Sequence, residues 1–375
     1  MNRKLAAALA LLSAVALTVA MGLRLFQALL LVEALLAPDA PGRLGSLCGE
    51  PRFEVVQLSD RYGEFPAQVH LPQGRRKHRA AVLSVPLAYE LADNPGVVGM
   101  ARALARAGTV VLVPAPAVEL EALLGARDQA VLEASLDYLH GHGSVDPRRV
   151  GLIGVSYGSG PVLQLAASPE WRDRIRFVVT LGGYYHLEHM LRYATTGVHE
   201  FEGAVHRQDP DLLVKQVMAG VMYSWLEEAD RRLLAAHEHQ IYWGHFPTDL
   251  EGRLSPAAAA LYRTVANSSE DGFAALLAAL PAELRERMDA LSPATSLERI
   301  RARVFLIHAV GDTYVPFTES QRLLNGLPDC TRPRLALVGF LDHALPHTLT
   351  PWELACRYAP DLLGLVVLLV ALLRL

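Results

Sequence analysis

Short, unbroken apolar runs alternate with helix-length stretches through the middle of this chain, and that rhythm restricts the fold more than any other feature. Runs at 80–85, 109–114, 149–155 and 176–181 read as buried strands, and the stretches near 97–107 and 128–140 have helical spacing. Strand, helix, strand in this order requires a mostly parallel sheet, right-handed crossovers and helices on both faces. Two further apolar runs, 304–308 and 334–338, extend the sheet, while 53–58 and 65–71 read as an opening pair of strands. The fold class is therefore α/β, with a ligand site expected at the carboxyl ends of the strands. Between the runs at 176–181 and 304–308, the stretch 184–299 is rich in Ala, Leu, His and Arg at helical spacing. It is expected to form a helical cap inserted over that edge, lining the pocket and able to gate it.

The strongest local signal is Gly154-Val155-Ser156-Tyr157-Gly158, set where one apolar run ends and a helical stretch begins. A serine hydroxyl is a weak nucleophile at its own pKa, so a fold that uses one must present it on a sharp turn within reach of a base. Flanking glycines remove the Cβ atoms that would clash in such a turn. The turn also aims a helix N-terminus, and the Tyr157 amide, at an oxyanion. The pentapeptide alone also fits an ordinary tight turn; the strand before it and the helix after it favour catalysis. An acid and then a histidine should follow, each just beyond a later strand. Asp312 stands after the run at 304–308, and His343 after the run at 334–338, with His347 as the nearest competitor. Asp342 is expected to cap or pair locally.

These residues carry a family resemblance. Val145-Asp146-Pro147-Arg148-Arg149-Val150-Gly151 leading into the serine pentapeptide resembles the α/β-hydrolase superfamily, and in particular its dienelactone-hydrolase-like, acyl-esterase and prolyl-oligopeptidase-like members. Leu291-Ser292-Pro293 through Ile300, then His308, Asp312, Val315 and Pro316, is similar as well, and the resemblance spans roughly 53–360 outside the cap. It implies an eight-stranded sheet, a Ser156–Asp312–His343 triad, no cofactor, and hydrolysis of esters, thioesters or amides. It does not select the substrate. Two positions depart from the pattern. Where many relatives place a His-Gly or Gly-Gly pair to donate an oxyanion amide, this chain has Ser84-Val85-Pro86-Leu87-Ala88-Tyr89. Leu87 N–H is the expected second donor beside Tyr157, with the Tyr89 hydroxyl as the alternative. Ser159 stands where many relatives carry a further glycine.

The expected activity is cleavage of a carboxylic ester or thioester through an acyl-enzyme. A serine exopeptidase or an acyltransferase on the same fold, and a non-catalytic membrane-tethered binding protein, are the alternatives. The formal net charge of −4, with no basic stripe, argues against nucleic acid as a partner. Hydrophobic residues make up 51% of the chain, and the excess lies at its ends. Leu5 to Leu23 is apolar apart from Ser13 and Thr18 and follows Arg3 and Lys4, which reads as an uncleaved membrane anchor over 1–37 with the following domain extracytoplasmic. A Pro/Gly-containing linker, 38–52, then leads to a core of 53–183 and 300–361. Residues 362–375 form a final hydrophobic helix, open to three expectations: buried in the fold, dipping into lipid, or part of a tilted hairpin. Membrane proximity and the apolar cap suggest a lipid-like acyl substrate. Cys48, Cys330 and Cys356 lack zinc-ligand spacing, His186 and His189 lack partners for a metal site, and no metal is expected. The charged stretch from Glu227 to Arg232 is read as a solvated helix face.

Overall fold

The computed structural model describes residues 21–36, 42–74, 76–85, 94–116, 125–343, 345–346 and 350–375. Ten of its strands matter here: β1 (Arg52–Asp60), β2 (Gly63–Leu71), β3 (His78–Ser84), β4 (Thr109–Pro114), β5 (Val145–Val155), β6 (Phe177–Leu181), β7 (Val198–Phe201), β8 (Ala204–Arg207), β9 (Arg303–Ala309) and β10 (Arg334–Val338). Eight form one sheet in the order β1-β2-β4-β3-β5-β6-β9-β10. β1 and β2 form an antiparallel hairpin, and β2 also runs antiparallel to β4. From β4 through β10 every pairing is parallel. β7 and β8 make a separate hairpin.

The central strands are apolar without alternation because both sheet faces are covered. Successive side chains point to opposite faces. Val150, Leu152, Val178, Val304 and Leu306 accordingly pack with the helices Ala126–Gly141, Ser159–Ala167 and Thr318–Gly326. Ile153, Val155, Val179, Leu181 and Phe305 enter a second cluster, with helix 21–36, the helix Pro95–Arg106 and the helix Ala359–Leu373. The order and covering match the expected α/β class.

The C-terminal hydrophobic stretch takes one of its three expected forms, burial in the fold. Ala359–Leu373 buries Leu365, Val366, Leu368, Leu369, Leu372 and Leu373 against the sheet. Each such side chain contributes roughly 1.5–3 kcal/mol relative to exposure. Its carboxyl end is also tied down: Arg79 Nη1 donates to Leu372 O at 3.0 Å, and Arg149 Nε donates to Leu375 O at 2.6 Å. The C-terminal stretch is therefore a core helix of the fold. Helix 21–36 packs beside it through Ala28, Leu30, Leu31, Val32 and Ala34. Among the described residues no helix is long and apolar enough to cross a membrane. Most of the proposed anchor, residues 1–20, lies outside the described residues. Part of the expected linker is helical, at Gly42–Cys48.

Between β6 and β9 lie the hairpin β7–β8 and a series of helices from Leu187–Thr196 to Ala282–Leu291. They have a hydrophobic cluster of their own, which also takes in Tyr157 and Val315 from the sheet edge. Within this insertion, Asp230 is buried and accepts hydrogen bonds from Ser255 N and Oγ, so the stretch from Glu227 to Arg232 is not uniformly solvated.

Candidate active site

β5 ends at Val155, and Ser156 follows in a left-handed conformation (φ 52°), leading through a single 3-10 turn into the helix Ser159–Ala167. The two glycines of the pentapeptide are needed for close approach. A Cβ on Gly154 would lie 2.6 Å from Ser159 Cα, and one on Gly158 would lie 2.7 Å from the Ser84 carbonyl oxygen at the end of β3. Ser159 occupies its departed position comfortably: it is fully buried and its hydroxyl donates to Gly154 O at 3.1 Å. Ser156 is 7% exposed at the carboxyl edge of the sheet. Its hydroxyl makes no hydrogen bond to His343 in this structure; such contacts commonly tighten only with substrate bound.

Asp312 and His343 are brought together from the ends of two neighbouring strands. His343 Nδ1 lies 2.7 Å from Asp312 Oδ2, and His343 itself is left-handed (φ 51°) in the turn after Leu341–Asp342. Asp312 is fully buried, and its Oδ1 accepts the backbone N–H groups of Tyr314 (2.8 Å) and Val315 (3.0 Å). Burial alone would raise its pKa, but hydrogen bonds from His308 and His343 outweigh that and hold the carboxyl well below the ordinary range. An ionised Asp312 orients His343 with Nδ1 protonated, leaving Nε2 as the free base. Asp342 is exposed and pairs with Leu345 in a two-residue ladder, while His347 lies outside the described residues.

Tyr157 forms part of the elbow turn, where the first N–H groups of a helical segment lack intrahelical partners. Its ring is buried and packs at 5.7 Å from that of Tyr184. Leu87, expected as the second oxyanion donor, and Tyr89 lie outside the described residues.

Several residues at the site have no single-residue signal in the sequence. Gly182, directly after β6, takes φ 63°, and a Cβ there would sit 3.1 Å from His343 Cε1 and 3.2 Å from Asp312 Oδ2. Its bareness is what lets the Asp–His pair rest on the end of the strand that lies between β5 and β9. His308 is fully buried, with Nε2 2.8 Å from Val315 O and 3.4 Å from Asp312 Oδ2, and Nδ1 2.6 Å from Ser320 Oγ. Those partners place the proton on Nε2 and make His308 a second support for Asp312. The Tyr314 ring lies 4.8 Å from His343. The insertion clamps the acid loop as well: Tyr193 Oη (3.1 Å) and Asp211 N (3.0 Å) both donate to Thr313 O, and Gln208 Nε2 (2.9 Å) donates to Gly311 O.

A second buried carboxylate, Glu319, ties the start of the insertion to the core. It accepts Tyr185 N (2.8 Å), His186 N (3.0 Å) and His189 Nδ1 (3.0 Å). His186 is the N-cap of its helix and faces Asp289 at 3.2 Å. The histidine pair thus has carboxylate partners that the sequence did not suggest, yet among the described residues no group of His, Cys, Asp and Glu could hold a metal ion. The three cysteines are free and exposed.

Sheet order, elbow and insertion together define the α/β-hydrolase fold. A solved structure described as 2,6-dihydroxy-pseudo-oxynicotine hydrolase is similar at 18% identity and TM-score 0.50, over 86% of this chain and 69% of that one. A hyperthermophilic esterase from the archaeon Pyrobaculum calidifontis aligns at 14% identity and TM-score 0.48, over 95% and 90%. An acylaminoacyl peptidase from Pyrococcus horikoshii aligns at 13% identity and TM-score 0.47, over 84% of this chain and only 40% of its own length. No family model matches the sequence, and no curated protein matches it either.

Proposed function

We propose that the protein is a serine hydrolase that cleaves a carboxylic ester or thioester, with Ser156 as nucleophile, His343 as base and Asp312 as the orienting acid. The observation that carries this reading is the pairing of buried Asp312 with partly exposed His343, 2.7 Å apart, at the same sheet edge as a left-handed serine on a strand-to-helix elbow. His343 Nε2 takes the Ser156 proton as Oγ attacks the carbonyl carbon, and Asp312 stabilises the imidazolium that results. The Tyr157 amide and a second donor, proposed as Leu87, hold the oxyanion, each worth on the order of 3 kcal/mol. The imidazolium protonates the leaving alkoxide or thiolate. Water activated by the same histidine then releases the acid and restores Ser156.

Fluorophosphonate labelling of the native protein, compared with Ser156→Ala and His343→Ala, tests the nucleophile. Labelling should vanish in the first variant and nearly vanish in the second; folded native protein that resists the probe would sink the proposal. A panel of acyl esters against aminoacyl-proline amides then separates esterase from exopeptidase. Membrane tethering belongs to the same proposal. It is supported by the apolar sequence from Leu5 onward and by the exposed Leu25, Phe26, Leu29, Leu363 and Val367 on the outer faces of the two terminal helices. Recovery of the protein solely in the aqueous phase of a detergent partition would overturn it.

A further inference from the structure

The edge of the sheet opposite Ser156 carries a concentration of positive charge that the proposed chemistry does not use. A hollow of about 680 Å³ opens there, lined by seven arginines, with Asp173 as the single carboxylate in its wall. Part of that charge is neutralised locally. Arg148 pairs with Asp146 (3.2 Å), Arg174 with Asp137 (3.2 Å), and Arg172 (3.8 Å) and Arg301 (2.6 Å) share Asp173. Arg176, Arg303 and Arg332 have no carboxylate within ion-pairing distance among the described residues.

The topology explains how these three meet. Arg176 immediately precedes β6, Arg303 opens β9, and Arg332 lies two residues before β10. Those strands are consecutive in the sheet, Arg303 N donates to Arg176 O at 3.1 Å, and Arg332 sits in the turn that leads into the Arg334–Phe305 pairing. Neighbouring strands are about 4.8 Å apart, so the three residues start within roughly 10 Å of one another along the amino edge, and all three line the hollow. Arg303, on the middle strand, is half-buried, and its Nε is shielded from solvent with no hydrogen-bond partner. Burial first, then the charges of Arg332, Arg334 and Arg176, lower its pKa. The seven arginines of the hollow outnumber the three carboxylates, Asp137, Asp146 and Asp173, that pair with them.

We infer that this amino-edge hollow binds a ligand bearing closely spaced phosphate groups, held by Arg176, Arg303 and Arg332. Guanidinium forks match phosphate oxygens in geometry and charge, and an unpaired row of them suits several phosphates better than one. The ligand is either a free polyphosphate or a phosphate-bearing lipid headgroup.

Titration of the whole chain with inorganic tripolyphosphate by calorimetry, beside thermal melts in sodium chloride of matched ionic strength, tests the first source. Co-sedimentation with phosphatidylcholine vesicles, with and without phosphatidic acid, tests the second. Tripolyphosphate should bind and raise the melting temperature beyond the salt control, or phosphatidic acid should increase vesicle binding. Either response should weaken by about tenfold for each arginine removed in Arg176→Gln/Arg332→Gln. Without ligand, that variant should melt no lower than the native protein, because relief of repulsion offsets lost packing; Arg332→Gln alone, exposed and in a turn, serves if the pair fails to fold. Absence of both responses in the native protein, or equal responses in native and variant, would overturn the inference.

Discussion

Gly182→Ala isolates one structural claim: that the Asp312–His343 pair depends on a missing side chain beneath it. The substitution acts in two ways. First, alanine at φ 63° is forced into the left-handed region, at a cost of about 1–2 kcal/mol. Second, the new methyl would lie 3.1 Å from His343 Cε1 and 3.2 Å from both Asp312 Oδ2 and His343 Nδ1, so one neighbour must retreat by a few tenths of an ångström. Asp312 is the less able to move, since Oδ1 is pinned by two backbone amides and its loop is clamped by Tyr193, Asp211 and Gln208. His343, with Tyr314 on its ring, must yield instead. Since a misplacement of about 1 Å at a reacting centre costs roughly 100-fold, a shift of this size should slow the reaction by roughly tenfold. The assay is the second-order rate of fluorophosphonate labelling, read beside a denaturant melt. We expect a loss of about 1–2 kcal/mol in stability together with the slower labelling. Native-like labelling in a destabilised Gly182→Ala protein would refute the argument, because it would leave only the backbone cost and no contact with the pair.

Three other outcomes follow from the same geometry. Asp312→Asn replaces an acceptor facing four donors by a group with one acceptor oxygen, so it should lower kcat by on the order of 10³- to 10⁴-fold with little change in KM, as for a misoriented histidine in other triads; a fall in KM-type binding alone would contradict the assigned role. Glu319→Ala leaves the part-buried Tyr185 and His186 amides without their acceptor and should cost about 2–4 kcal/mol, with earlier proteolysis near the start of the insertion; unchanged stability and proteolysis would show that Glu319 does not anchor it. Burial, then the charge of His206, lowers the His199 pKa to about 4 where it meets Thr318 at 3.1 Å. A folded value below the unfolded one means that unfolding takes up a proton, so stability present above about pH 6.5 should decline by on the order of 3 kcal/mol as pH falls toward 4, and His199→Gln should flatten that part of the curve in pH-dependent melts.

Much of the core was legible in the sequence because each signal was local. The apolar runs at 149–155 and 304–308 lie within the observed strands Val145–Val155 and Arg303–Ala309 because strands covered on both faces have no wet side to mark with polar residues. Gly154 and Gly158 were legible because a sharp elbow leaves no room for Cβ atoms, a requirement written in two residues of one turn. The positions of Asp312 and His343 followed from the strand ends before them.

What remained hidden depends on which strands become neighbours. Gly182 lies 130 residues or more from Asp312 and His343 in sequence, and His308, four residues before Asp312, supports it only because the loop after β9 turns the carboxyl back toward the buried imidazole at the strand's end. The clamp likewise joins residues 103 and 120 positions apart, Gln208 to Gly311 and Tyr193 to Thr313, and the arginine cluster joins the starts of β6, β9 and β10. Hydropathy established by itself that the chain's ends must bury apolar surface, since that is a property of the side chains. Only the tertiary structure decided that Ala359–Leu373 buries it against the sheet, because the hydrophobic effect has no direction and takes whichever apolar partner the fold supplies.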